Sequence, residues 1–459
     1  MQALYQLSYS PLRCAARFLQ VFPVGFPGGD ANITRSQGCT TKSFPICPTL
    51  LGKDPYGATT VPPVTALVLP RTHRRVSVSL GVCLLSFVSF WIAQRAAHVS
   101  MIDLLVYRAE GATVRAGGDL YALRATHAGL PTTYPPFAAL LFTPLTLLDV
   151  ATVRAAATLL NLALLVAFVH LSLLLVRRHA RVEHSLWVAA GAVWCEPVWT
   201  TLRYGQVNLL LAVLVLWDLT RRPGHRWAGV GIGVAAAIKL TPALFVVFLL
   251  GTGLALAVTG GGWRPWLRAA ATAVGSCAGV TALTAVVLPH DSRLFWTRMV
   301  FEASRVGHAE ETANQSLRGV LARLLHTDDP GPWWVAAAVV AGATGLAVAV
   351  AAALRGRRAL AVVACATTAL LISPVSWSHH WVWCVPLVLL VWETGRHRVA
   401  ALMALLFCSY ALWWVPHGTG RPELHQNGVE LALSALYAVV GCAFLARSGV
   451  RLWRTSRTA

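Results

Sequence analysis

Residues 71–108 read RTHRRVSVSLGVCLLSFVSFWIAQRAAHVSMIDLLVYR. A basic cluster, Arg71-Thr-His-Arg-Arg75, leads into an apolar run from Val76 to about Ala97. At 1.5 Å per residue such a run spans roughly 30 Å, the thickness of a bilayer's hydrocarbon core. Basic residues collect on the inner side of a membrane, so this run carries the chain outward and leaves Asp103, Tyr107 and Arg108 at the outer surface. A carboxylate kept at the edge of hydrocarbon is costly, and such residues mark function.

The same alternation fills the rest of the chain. Of 459 residues, 56% are hydrophobic and only 12% charged, which specifies a polytopic, all-α integral membrane protein. The net charge of +20 could suggest a nucleic-acid partner, but the basic residues lie in short clusters between apolar runs. They therefore report topology, with attraction to anionic membrane lipids as a second effect, and no nucleic acid is expected. The ten cysteines form no CxxC pair or Cys/His cluster. Seven of them, Cys83, Cys195, Cys277, Cys365, Cys384, Cys408 and Cys442, sit in apolar runs and read as small buried hydrophobes.

Residues 1–70 differ from everything after them, being rich in Pro, Gly, Ser and Thr without helical periodicity. They are expected to be a disordered extension, or to precede a true translation start near Arg71, and they lack the plan of a signal peptide.

From Val76 the basic clusters order about twelve crossings with both termini inside. The first is followed by a long outer loop in which Pro135 to Leu148, too short to cross, reads as interfacial. Thr152 to Val176 returns to Arg177-Arg178-His179-Ala180-Arg181, and spans at Ser185 to Thr201 and Gln206 to Leu219 flank an outer turn, Arg203-Tyr-Gly-Gln-Val-Asn208. Trp227 to Ile238 rises outward, Lys239-Leu-Thr-Pro242 breaks it, and Ala243 to Val258 returns; a single helix from Trp227 to Leu250 would leave Arg264 and Arg268 outside. Leu267 to Leu288 precedes a second large outer loop, His290 to Pro332. Trp333 to Leu354, Leu360 to Trp377, Trp381 to Trp392, Val399 to Pro416 and Val429 to Ala446 complete the set.

Drawn from basic clusters alone, this topology places Asp103, Tyr107, Tyr134, Arg203, Gln206, Asn208, Lys239, Asn314, Gln315, His379 and His380 on one outer face. Each has a plainer reading. Asp103 could be an idle helix-end carboxylate, Lys239 a snorkelling side chain, Arg203 a lipid anchor, and Gln206 and Asn208 ties between helices. Asp119 in Gly117-Gly-Asp-Leu-Tyr121 reads as a turn residue, and Glu196 before Pro197 competes with Asp103 as the functional acid. His379 and His380 are adjacent and diverge, so by themselves they are not a paired metal site.

One acid among a lysine, an arginine and histidines at the membrane surface suits transfer of a sugar from a lipid phosphate. A phosphate leaving group needs little protonation, so the second carboxylate that glycosidases need is dispensable. A single base deprotonates the attacking hydroxyl while cations hold the charge developing on phosphate, and direct displacement inverts the anomeric carbon. No glycine-rich nucleotide loop accompanies a strand pattern, which argues against a soluble nucleotide-sugar donor.

Asp103-Leu-Leu-Val-Tyr107, Gly118-Asp-Leu-Tyr121, Tyr134-Pro-Pro-Phe137, Gly205-Gln-Val-Asn208, Ala237-Ile-Lys-Leu-Thr-Pro242, Asn314-Gln-Ser-Leu317 and Ser373-Pro-Val-Ser-Trp-Ser-His-His380 occur in that order. The series, across residues 76 to 446, resembles glycosyltransferase family 87, actinobacterial membrane enzymes of the GT-C class. The resemblance implies a GT-C transmembrane catalytic domain over residues 71–459. It also implies α-1,2-mannosyl transfer from polyprenyl-phosphate mannose to a lipid-linked mannoside or lipoglycan outside the cytoplasmic membrane. Asp103 would be the base, with Lys239, His379 and His380 near the donor phosphate. The paired outer-loop acids of metal-dependent GT-C enzymes are not seen, so neither a metal nor another cofactor is expected. A related enzyme using another polyprenyl-phosphate sugar, such as arabinofuranose, would share these features. A transporter would place its charges nearer mid-membrane.

Overall fold

The computed structural model describes residues 71–177, 179–222 and 224–457, and the reading of residues 1–70 lies outside them. The described chain is helical apart from a hairpin in which β1 (Arg124–Ala125) pairs antiparallel with β2 (Leu130–Pro131). Helix α1 (Arg71–Ala96) leads to α2 (Ile102–Ala116), which carries Asp103 in its first turn, and then to α3 (Pro136–Phe142). Next come α4 (Val150–Arg177), α5 (Val182–Ala192), α6 (Glu196–Tyr204), α7 (Asn208–Thr220), α8 (Val230–Ile238), α9 (Leu244–Val258) and α10 (Arg264–Val287). The long segment before the next apolar helix holds α11 (Pro289–Thr297) and α12 (Leu317–Leu324). The chain closes with α13 (Gly331–Leu354), α14 (Arg358–Ile372), α15 (Cys384–Glu393), α16 (His397–Cys408), α17 (Gly428–Ser434) and α18 (Leu436–Arg457).

Among the described residues six helices are long and apolar enough to cross a membrane: α1, α4, the segment Thr241–Val258 ending in α9, α10, α13 and α18. Helices α6 and α7 together would make a seventh, but they are bent by 117°. The other expected crossings are shorter apolar helices, such as the 15 residues of α14 and the 12 of α16. Pro136–Leu147, in the segment expected to be interfacial, is a short apolar helical segment.

Two expected spans are interrupted and one expected break is present, each for a visible reason. The run Ser185 to Thr201 stops at Ala192, and extended Cys195 (φ −65°, ψ 133°) restarts the chain as α6, with Pro197 in its first turn where a missing N–H costs nothing. The run Trp227 to Val258 breaks at extended Lys239 (φ −152°, ψ 132°), as the Lys239-Thr241-Pro242 pattern anticipates. Val429 to Ala446 divides at Ala435. There the freed backbone is satisfied by protein: Gln315 Nε2 and Arg323 Nη2 donate to Ser434 O at 2.6 and 2.9 Å, and Tyr437 N donates to Gln315 Oε1 at 3.2 Å. Irregular backbone is tolerated at membrane depth only when buried in this way.

Helices meet closely through small residues. A Cβ on Gly345 of α13 would lie 2.1 Å from Thr368 of α14, so that pair packs only with hydrogen there. The two outer loops are tied by Leu120 N donating to Asp291 Oδ1 at 3.0 Å, and Asp119 accepts from Tyr121 N and Ala122 N as a turn residue should.

Glu196, at the start of α6, is fully buried. Its Oε1 accepts from Thr200 Oγ1 (2.9 Å), Ser378 Oγ (2.7 Å) and Trp413 Nε1 (3.1 Å), and its Oε2 accepts from Tyr437 OH (2.9 Å). One carboxylate thus joins α6, the 3-10 turn Ser378–Trp383, the turn Ala411–Trp413 and α18. Glu196→Ala leaves four donors without their acceptor and is expected to cost about 3 kcal/mol or more. Tyr437→Phe, which removes one donor, should cost about 1 kcal/mol. Thermal unfolding in detergent checks both, and an unchanged midpoint for Glu196→Ala would contradict the clamp.

Candidate active site

The site begins with a glycine. Gly205 ends α6 in the left-handed region (φ 70°), and a Cβ there would sit 2.7 Å from Leu104 Cβ of α2. Both the backbone turn and the contact require glycine. This close approach sets Gln206 beside Asp103: Gln206 Nε2 donates to Asp103 Oδ2 at 2.6 Å. Gln206 Oε1 in turn accepts from Tyr107 OH at 2.8 Å and Tyr134 OH at 3.1 Å, and the two hydroxyls lie 2.9 Å apart. The phenols orient the amide, and the amide orients the carboxylate. Tyr107 is itself fixed by stacking on Phe142, ring centres 4.4 Å apart.

Asp103 is only half-buried and lines a cavity of about 660 Å³. Burial raises its pKa to about 6, a rise limited by the Gln206 hydrogen bond and the positive charge of Lys239. It therefore sits near a working pH as a carboxylate able to take a proton.

Across the same cavity, the break after α8 presents Lys239. Its Nζ is 2.9 Å from His380 Nε2, 3.4 Å from Asn208 Oδ1 and 5.3 Å from the centre of the Tyr134 ring. Burial and the Lys239 charge hold the His380 imidazole well below its usual range, so it meets the lysine as a neutral acceptor. His379 faces elsewhere: its backbone O accepts from Thr201 Oγ1 (2.8 Å) and Asn208 Nδ2 (3.0 Å), and its ring packs edge-on to Tyr204. Its Nε2 is buried, has no hydrogen-bond partner among the described residues, and belongs to a residue lining the cavity. The divergence expected of adjacent histidines is thus a division of contacts.

Seven of the expected residues, Asp103, Tyr107, Tyr134, Gln206, Lys239, His379 and His380, line this one cavity. Asn208 stands behind Lys239 and His379. Asn314 and Gln315 do not reach the cavity. Asn314 Oδ1 accepts from Ser376 N at 3.0 Å and its Nδ2 donates to Ala309 O at 3.0 Å. Gln315 spends its amide on Thr312 O, Ser434 O and Tyr437 N. Both hold the wall in place, because buried amides first satisfy buried backbone. Arg203, on the last turn of α6, and Glu196 also lie outside the lining.

Sequence reading passed over Arg305 and Glu311, which line the loop side with Trp377 of the Ser373–His380 motif. Arg305 donates to Thr132 O and, at 3.0 Å, to Met299 O, while its Nε is buried without a partner. It lies in a 3-10 turn with no periodicity to mark it; the only hint was a basic residue in the second outer loop. Among the described residues no three of His, Cys, Asp and Glu are grouped to hold a metal ion.

Residues 133–374 match the model of glycosyltransferase family 87. The chain is 35% identical over 337 residues to a Mycobacterium tuberculosis protein named polyprenol-phosphate-mannose-dependent alpha-(1-2)-phosphatidylinositol mannoside mannosyltransferase, covering 69% of this chain and 76% of that one. A Mycolicibacterium smegmatis protein of the same name is 36% identical over 72% of this chain and 78% of its own. A second Mycobacterium tuberculosis relative, named for a phosphatidylinositol pentamannoside, is 33% identical over 72% of this chain and 76% of its own. Among solved structures, ArnT from Cupriavidus metallidurans bound to undecaprenyl phosphate aligns over 82% of this chain and 77% of that one, at 14% identity and a TM-score of 0.37. With the ordered motifs, the family match and these identities in agreement, the chain belongs to glycosyltransferase family 87.

Proposed function

We propose that the protein is a membrane mannosyltransferase of GT-C type that moves mannose from polyprenyl-phosphate mannose to a lipid-linked mannoside or lipoglycan. The observation that carries this reading is the pairing, across one cavity in a chain of this family, of the half-buried carboxylate of Asp103 with a half-buried lysine and two histidines. The printed names of the relatives support the donor, the α-(1-2) linkage and a phosphatidylinositol mannoside as the acceptor class. The membrane arrangement that goes with it has about twelve crossings, the short apolar helices completing those begun by the long ones, with both termini cytoplasmic and the cavity outside.

In this reaction Asp103 accepts the proton of the attacking sugar hydroxyl as its oxygen bonds to the anomeric carbon of mannose. The bond from that carbon to the phosphate oxygen breaks, and its electron pair leaves with polyprenyl phosphate. Lys239 faces the charge gathered on the phosphate, with His380 fixing its ammonium and the free Nε2 of His379 adding a contact. Attack and departure occur on opposite faces, so the configuration inverts. Gln206 and the two tyrosines keep Asp103 aimed, and in a preorganised site that geometry is worth more than an extra charge.

Asp103→Asn is expected to reduce transfer of labelled mannose from polyprenyl-phosphate mannose by about a thousandfold or more while the yield of folded protein is unchanged. Wild-type-like transfer by that variant in membranes would remove Asp103 as the base. Transfer should also fall as pH drops through about 6, where Asp103 takes up a proton. Gln206→Leu removes the donor that favours the carboxylate, so the acidic limb should move to higher pH. A pH profile of kcat/KM in both proteins reads this, and an unshifted limb would show that Gln206 does not tune the base.

A further inference from the structure

At the opposite end of the helices lies a second and larger cavity, about 1200 Å³. Helix α14 connects the two, contributing Arg358 to Val362 to this chamber and Ala369 and Ile372 to the outer cavity. Along the helix axis that separates them by roughly 15 Å. The floor of the chamber is apolar, with Ile232, Phe248, Leu249, Val362 and Phe444 among its side chains.

Its rim is strongly basic. The ends of α7 and α14 bring Arg221, Arg222, Arg357 and Arg358, and Arg396 with α18's Arg447 and Arg451 closes the other side. Against seven guanidinium groups stands one lining carboxylate, Asp218, and it is already engaged: its Oδ2 accepts from Ile232 N at 2.8 Å, and Arg221 lies 4.0 Å from its Oδ1. Glu393 nearby is taken by Arg177. Arg221 also stacks on Trp217, and Arg358 donates to Arg221 O. Among the described residues no carboxylate pairs with the other six.

Topology explains basic residues on this face, but not their convergence on an apolar chamber. Like charges around a concavity repel, and an anion held there relieves them. Guanidinium forks match phosphate oxygens in pairs, while the floor offers nothing to the rest of a small hydrated ion. Exposed Trp227, Trp263, Trp392 and Trp453 lie on the surrounding segments, and tryptophan gathers at headgroup depth.

We infer that this chamber is a binding site for an anionic phospholipid, its headgroup phosphate on the arginine rim and its acyl chains against the apolar floor. The occupant is a lipid of the leaflet opposite the catalytic cavity, and it is neither donor nor acceptor. By filling the gap between helix ends it steadies the ends of α7, α14 and α18 against one another.

The test uses the purified full-length protein in detergent with equal amounts of dioleoyl phosphatidylglycerol and dioleoyl phosphatidylcholine, read by native mass spectrometry. The anionic lipid should be retained about tenfold over the zwitterionic one. The double substitution Arg447→Gln/Arg451→Gln, remote from the catalytic cavity, should lower its retention about tenfold, and inorganic phosphate at the same concentration should not displace it. Arg357→Gln/Arg396→Gln probes the same rim from other segments, so whichever variant elutes as a single folded species decides the matter. Equal retention of the two lipids, retention unchanged in the folded variant, or displacement by inorganic phosphate would each overturn the proposal. None of these readings depends on the sugar or acceptor used at the outer site.

Discussion

The buried carboxylate of Glu196 is the constraint on which the outer half of the molecule depends. Its four donors come from residues 200, 378, 413 and 437, so one side chain joins segments spread over more than half of the described chain. A carboxylate in such a place is tolerable only because each oxygen is hydrogen-bonded, and the same requirement makes its partners interdependent. The Ser378 contact anchors the turn that carries His379 and His380. The α6 contact anchors the helix whose end delivers Gly205 and Gln206. Glu196 thus bears on both walls of the cavity without lining it.

Within the cavity the functional charges are kept few and separated. Asp103 is approached by a neutral amide, itself oriented by two phenols, and Lys239 by a neutral imidazole and an amide oxygen. None of these neighbours neutralises its charge. A direct Asp–Lys ion pair would lower the basicity of the one and satisfy the other. Neutral dipoles hold both in position, and in the proposed reaction leave them for a substrate that brings its own hydroxyl and phosphate.

The two ends of the bundle solve different electrostatic problems. At one end, Asp103 and Lys239 sit among tyrosine, glutamine and histidine side chains, with Glu302, Arg305 and Glu311 on the loop side. At the other end, arginines crowd a concavity with a single acid. Helix α14 lines both cavities, while α7 runs from Asn208, behind Lys239, to Asp218 in the basic chamber.

Much of the architecture was legible from composition and charge. Apolar runs between basic clusters specified a helical membrane protein and an expected topology, because hydrocarbon thickness and the positive-inside bias act on any local segment. That reasoning also brought Asp103, Tyr107, Tyr134, Gln206, Lys239 and the histidine pair to one side, and the structure surrounds a single cavity with them. What the tertiary structure alone decided was the division of labour among similar residues. Gln206 holds the acid while Gln315 mends a helix break, and Asn314 ties down Ser376. Glu196 is the clamp and Asp103 the acid that lines the cavity. These roles depend on partners about 60 to 240 positions away in the chain, and no local periodicity encodes which buried amide must answer which distant carbonyl.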